Sequence, residues 1–136
     1  MREILFRGKT FDGKWIEGFV FQEVGDCVVR WCISTTPICA NDYSEILGDY
    51  AEVLPDTVGQ YTGLTDKNGK KIFEGDILKG AWDTIFQVVY DDCYLGFRAK
   101  EKDGMHNCID YYGLDRIEVI GNIHDNPELL KGGEQE

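Results

Sequence analysis

No run of apolar residues in this chain approaches the roughly 18 that a membrane-spanning helix needs, so no membrane association is expected. The opening residues, MREILFRGK, lack the apolar stretch of a secretory signal. Histidine is almost missing, with two in 136 residues, and proline is scarce, with three. Cysteine occurs five times, at positions 27, 32, 39, 93 and 108, and never as C-x-x-C. An odd count without paired spacing implies neither a disulfide framework nor a common zinc site. These shortages predict a cytoplasmic, reduced protein with no cofactor. Basic residues are in deficit too: 14 Lys and Arg face 25 Asp and Glu, a formal charge of −11. Affinity for nucleic acid comes largely from Lys and Arg releasing counterions from phosphates, so direct binding to DNA or RNA is not expected. An acidic chain can mimic DNA towards a DNA-binding partner, but a well-hydrated soluble surface accounts for the charge equally.

What the chain does have is glycine, 16 residues of it, with 43% apolar residues and 12% aromatics. That is enough apolar surface for one folded domain, taken as residues 1–130, with a flexible tail at 131–136. The glycines fall in turn dipeptides between apolar runs. Asp12-Gly13 separates EILFRGKTF from KWIEGFVF, and Gly25-Asp26 separates FVFQ from CVVRWCI. Asn68-Gly69 separates YTGLT from KKIF, and Asp103-Gly104 separates YLGFRAK from NCIDYY. Asn-Gly and Asp-Gly accept the positive φ of two-residue hairpins. A further reversal is expected at Asp91-Asp92. Period-two alternation puts Leu95, Phe97 and Ala99 on one face and Arg98 and Lys100 on the other, while residues 85–90 are apolar on both sides, as in a central strand. Helical spacing is weak: DYSEILGDYAEVL suits one short helix. NPELLK suits a last turn with Asn126 as its cap and Pro127 first. Residues 12–18 (DGKWIEG) echo residues 68–75 (NGKKIFEG). The expected fold is mainly β: N-terminal hairpins, a connection over 39–59 and an antiparallel meander over 60–124. They form a small, partly closed barrel or curled sheet with one or two short helical turns.

The glycine-rich stretch QYTGLTDKNGKKIFEGDIL (60–78) approximates a phosphate-binding loop, but Lys71 stands where that motif needs Ser or Thr and no helix follows. Turn chemistry explains it better. His106 and Cys108, two apart on a strand, share a face, and Cys27 or Cys93 could complete a metal set. Buried cysteine as a small apolar residue is the plainer explanation, and no metal is assigned. His124 beside Asp125 offers an oriented base without a nominated nucleophile. The acidic pairs Asp91/Asp92, Asp42/Glu45 and Glu101/Asp103 read as turn or solvent-face residues. Trp31, Trp82 and Tyr61 could stack a base, or fill the core or a subunit interface.

Three blocks, MREILFRGKTFDGKWIEGF, TVGQYTGLTDKNGKKIFEGDIL and EVIGNIHDNPELL, resemble in residues, order and spacing the YopX family of bacteriophage and prophage proteins. The resemblance implies a β-rich, homo-oligomeric protein of the bacterial cytoplasm, and no catalytic residue. It marks Gln60, Tyr61, Thr62, Gly63, Asp66, Gly69, Gly75 and Asp76 as the signature, read as fold determinants first and as an interface or ligand surface second. The functional expectation is a non-enzymatic accessory protein that scaffolds interactions with itself and with a host or phage protein. The alternatives are a nucleotide-like ligand binder and, further off, a metal-dependent hydrolase.

Overall fold

A computed structural model describes residues 3–35, 50–101 and 104–134, with the side chains of 112 and 131–134 outside the description. Eleven strands are described: β1 (Phe6–Lys9), β2 (Trp15–Val24), β3 (Val29–Ser34), β4 (Tyr50–Glu52), β5 (Gly59–Thr65), β6 (Lys71–Phe73), β7 (Asp76–Lys79), β8 (Ile85–Asp91), β9 (Gly96–Glu101), β10 (His106–Cys108) and β11 (Glu118–Asn122). They build two antiparallel sheets, ordered β4-β3-β2-β1-β5-β6 and β10-β9-β8-β7-β11. The chain divides into two compact units, 1–61 and 62–136. β5 runs through the boundary. Its Gly59 and Gln60 pair with Arg7 and Phe6 of β1 in the first unit. Thr62, in the second, donates its hydroxyl to the Ile72 carbonyl of β6 at 2.8 Å.

The mainly β expectation holds, and β8 is the central strand of its sheet as its two apolar faces required. The barrel is not realised, because each sheet ends on two different edge strands that do not pair with each other; a curled sheet fits. The connection over 39–59 is itself part strand. β4 pairs with β3, so the described end of the expected helix, Tyr50–Glu52, is extended; its residues 42–49 lie outside the described region. The meander over 60–124 breaks at its end, where β11 returns to pair with β7. Pro127 does open a final 3₁₀ turn, which continues to Glu134. Asn126 stands just before it, its carbonyl accepting Leu129 N–H (3.1 Å) and its side-chain oxygen accepting Asn122 N–H. No helix among the described residues is long and apolar enough to cross a membrane.

The hairpins differ from the expected two-residue type in an instructive way. In the first, Thr10 N–H donates to Lys14 O (2.7 Å) and Gly13 N–H to Thr10 O (3.0 Å). The Asn68-Gly69 hairpin repeats this through Asp66 N–H to Lys70 O (2.8 Å) and Gly69 N–H to Asp66 O (3.0 Å). The β9–β10 connection repeats it again through Glu101, Gly104 and Met105. In each, the glycine is left-handed: φ is 92° at Gly13, 81° at Gly69 and 90° at Gly104. Asp12 and Asn68 keep negative φ. These are three-residue loops closed by a glycine bulge, in which a single residue has to take the left-handed region. The side chain opening the loop also serves the same end in both echoing segments: Thr10 Oγ1 accepts Lys14 N–H (3.0 Å) and Asp66 Oδ1 accepts Lys70 N–H (2.8 Å). The echo of 12–18 in 68–75 is therefore one turn used twice.

Each unit has its own apolar interior. Leu5, Cys32, Ile33, Val53 and Tyr61 are buried in the first. In the second, Ile72, Leu78, Phe86, Val88, Ala99, Ile109 and Ile117 form one cluster, flanked by Leu64, Phe97, Leu114 and Val119. Phe86, Val88 and Ala99 come from the inward face of β8 and β9, which fixes the opposite face of those strands as outward.

Candidate functional site

The signature residues sit at turns and strand starts. Asp66 is buried, 6% exposed. Its Oδ1 accepts the N–H groups of Asn68 (2.9 Å) and Lys70 (2.8 Å), closing the hairpin, and its Oδ2 accepts Val119 N–H at 3.0 Å from 53 residues away. Burial alone would push this carboxyl up. The N–H donors of Val119, Lys70 and Asn68, with the charge of Lys70, outweigh it and hold Asp66 below the usual carboxylate range. Asp76, also buried, accepts Phe73 N–H at 2.8 Å across a turn whose Gly75 has φ 93°. Gly75 N–H donates to Val88 O and its own carbonyl accepts Ile123 N–H. Thr62 bonds β6, Tyr61 donates its N–H to Leu5 O, and Gln60 pairs with Phe6. Gly63 lies within β5 at φ 92° and Gly69 in the hairpin. The 60–78 stretch is thus strand, turn, strand, turn, strand.

The chemistry-bearing side chains gather elsewhere, on the outward face of β8–β9–β10. Register places Asp91 opposite Gly96, Val89 opposite Arg98 and Gln87 opposite Lys100. Cys108 lies opposite Arg98 and His106 opposite Lys100. Paired residues share a face and i, i+2 residues repeat it, so Asp91, Arg98, Lys100, His106 and Cys108 all point the same way. His106 Nδ1 lies 2.7 Å from Asp91 Oδ2. Asp91 Oδ1 in turn accepts the N–H groups of Cys93 (2.8 Å) and Tyr94 (3.3 Å), which orients the loop into β9. The His106 hydrogen bond, helped by those two N–H groups, holds the Asp91 carboxyl below its ordinary range. Arg98 donates to Cys108 Sγ (3.1 Å) and to His106 O (3.5 Å), and stacks 4.1 Å from the Tyr94 ring centre. His106 and Cys108 do share a face, but their partners are a carboxylate and a guanidinium. Among the described residues no three His, Cys, Asp or Glu side chains converge to hold a metal ion. The arrangement ties one edge of the sheet together through polar contacts.

The other nominated residues are dispersed. Cys27 and Cys93 are exposed, and Cys32 is buried, its thiol pushed up by burial and then by Glu23 and Glu52. His124 packs beside Gly75, and its N–H donates to Asn122 Oδ1. Asp125 also bonds Asn122. Asp92 is exposed and Glu101 half-buried, while Asp42, Glu45, Asp103 and Cys39 lie outside the described residues. Of the stacking candidates, Tyr61 is in the core, Trp31 is half-buried and Trp82 is 97% exposed. A cavity of about 220 Å³ lined by Ile16, Ile33, Thr35, Tyr50 and Ala51 opens on the first unit. It is apolar and smaller than the roughly 300–1,000 Å³ of ordinary small-molecule sites, which does not suit a nucleotide.

Exposed apolar groups cluster at hairpin ends. β2 pairs with β1 only over Trp15–Gly18 and with β3 over Phe19–Val24. Along residues 19–24 no strand among those described takes the other edge of β2; β4 backs Cys32–Ser34 and Trp31 O still accepts Val53 N–H, so only 23–24 and 29–30 run on past it as a two-stranded ribbon tip. Val24, Val28 and Val29 at its tip are 71%, 50% and 54% exposed. In register, Val20, Gln22 and Val24 share a face with Ile33, Trp31 and Val29, which extends the apolar side of the unit outwards. The turn between β7 and β8 presents Trp82, and the loop after β8 presents Tyr94 and Leu95. Leu95 was expected within a strand; it has φ 53° and belongs to the loop. The β7–β8 turn, Ala81 to Thr84, carries none of the usual turn dipeptides and had no sequence signal beyond Gly80. Arg98 over Tyr94 and Asp91 with His106 had none either, because these contacts rest on the registers of β8–β9 and β9–β10 together.

These features define a class: an antiparallel β protein of two sheets. The chain belongs to the YopX protein family, whose model matches residues 6–131. It is similar to protein EF1440 from Enterococcus faecalis, known from a crystal structure, with 27% identity, a TM-score of 0.58, and coverage of 96% of this chain and 99% of that one. No curated protein matches it.

Proposed function

We propose that this YopX-family chain is a phage or prophage accessory protein of the host cytoplasm, acting as a non-enzymatic scaffold that assembles with its own copies and with another protein. The observation that carries this reading is the β2–β3 ribbon. Two strands alone are marginal in water. Here they expose three valines at the tip and leave one main-chain edge of Phe19–Val24 without a neighbouring strand among the described residues. Such an edge is a template for a strand or apolar surface from another chain, and a symmetric self-contact is the commonest way to cover one. The acidic charge, and the lack among the described residues of three converging His, Cys, Asp or Glu side chains, support a binding role over a metal-assisted one.

Native mass spectrometry tests this. A defined homo-oligomer of protein mass alone is the expected result, shifting towards monomer when Val24 and Val29 are both replaced by Asp. A monomer at all concentrations up to tens of micromolar sinks the self-assembly reading. Extra mass released only on denaturation would favour a carried ligand instead.

A further inference from the structure

The side chain least explained by the fold is Trp82. The residue is 97% exposed, and its backbone is left-handed at φ 62° and ψ 28°. Asp83 follows at φ 58°. Thr84 N–H closes onto Ala81 O at 3.2 Å, so these two occupy the centre of a type I′-like turn, the positions where Asn and Gly are favoured. Crowding of Cβ makes that conformation unfavourable for L residues, and least natural for a bulky one. The turn therefore gives up local stability to hold an indole in solvent, with no burial in return. Backbone outliers of this kind point towards function when the fold does not need them.

We propose that Trp82 and Asp83 form a docking point for an arginine on a basic partner protein. Tryptophan is the best aromatic acceptor of a cation and is enriched among residues that dominate interfaces. One residue on, the Asp83 side chain is 87% exposed, with Lys79 Nζ 3.2 Å from its Oδ1. That exposed ion pair is weak, and a guanidinium offers the carboxylate two parallel N–H bonds where an ammonium offers a point contact. A net charge of −11 draws a basic surface towards the chain and repels the phosphates of a nucleotide. The same recognition already operates inside the molecule, where the Arg7 guanidinium stacks 4.8 Å from the Trp15 ring. This surface belongs to the 62–136 unit and the β2–β3 ribbon to the 1–61 unit, so docking and self-assembly can fail separately.

The test uses the full chain with ¹⁵N-labelled indoles, titrated with a blocked Gly-Gly-Arg-Gly-Gly peptide and with its citrulline counterpart, which keeps the shape and loses the charge. The Trp82 signal is assigned by its loss in Trp82→Gly. It should shift saturably with the arginine peptide and bind the citrulline peptide about two- to fivefold more weakly, the ratio of an exposed cation–π contact. Asp83→Asn should weaken the arginine peptide by a similar factor, and the Trp15 and Trp31 signals should stay in place. Equal affinity for both peptides overturns the proposal. So does a Trp15 or Trp31 shift as large as that of Trp82, or a saturable Trp82 shift with adenosine monophosphate in place of peptide. A Trp82 shift on dilution without peptide would assign the turn to self-contact and overturn it as well.

Discussion

Replacing Asp66 tests whether one carboxylate joins the two ends of the second unit. Its oxygens accept three backbone N–H groups, two in the local hairpin and one from Val119. Hydrogen bonds to a charged acceptor contribute about 1.5–3 kcal/mol each, less than additively, and buried donors left without a partner carry their own penalty. Asp66→Ala should therefore cost about 3–4 kcal/mol. Asp66→Asn keeps an oxygen for the hairpin but turns an NH₂ towards the Val119 N–H, and should cost about 2 kcal/mol. In urea, with a slope near 2 kcal/mol/M, the alanine variant's midpoint should fall by about 1.5–2 M without a change of slope. Far-UV circular dichroism is the right readout, since every tryptophan except Trp82 is in the first unit. The pH dependence gives a second check. The Asp66 pKa is lowered by folding, so its contribution is fully present above the unfolded-state value of about 3.9 and is lost as pH falls through the folded value. The parent protein should lose stability below about pH 4, and Asp66→Asn should fall less steeply there. Parallel curves for parent and Asn variant, with an alanine midpoint unchanged, would refute the reasoning.

Trp82→Gly should stabilise the protein, because relief of a left-handed residue gains about 1–2 kcal/mol and the added freedom of the unfolded chain returns about 0.5–1 of it; a urea midpoint below that of the parent would show the indole is packed in solution. Gly18→Ala should be severely destabilising, about 3 kcal/mol or more, since its Cβ would stand 2.0 Å from the Ser34 carbonyl oxygen, a backbone atom with little room to move; thermal melting reads it. Asp91→Ala should speed amide exchange at Cys93 and Tyr94 and release His106 from its partner, seen as a moved imidazole resonance, while Asp92→Ala should change neither.

The strands and hairpins were legible because local chemistry decides them. Asp12-Gly13, Gly25-Asp26 and Asn68-Gly69 each mark a reversal, and the doubly apolar run 85–90 is the centre of its sheet. The loop type was not legible, because Asp-Gly and Asn-Gly serve both two- and three-residue loops and the choice rests on how the flanking strands bond. The β7–β8 reversal was hidden for the opposite reason: Trp82 and Asp83 occupy left-handed positions that their residue types disfavour. The candidate surfaces were legible only in part. That His106 and Cys108 share a face follows from spacing; that Asp91 and Arg98 meet them depends on register between strands. The exposure of Trp82, set against the burial of Tyr61, is a property of the tertiary fold that no local pattern encodes.

β5 has a consequence for the order in which this chain can be made. β1 lies between β2 and β5, and its outer edge is closed only when Gln60 and Gly59 reach Phe6 and Arg7. On a ribosome adding about 5–20 residues per second, the 54 positions between Phe6 and Gln60 take about 3–11 s to emerge. For that interval the nascent chain holds a finished hairpin with an unclosed flank. The wait ends with the same strand that opens the second unit, so closing the flank of β1 and starting that unit are one event in synthesis.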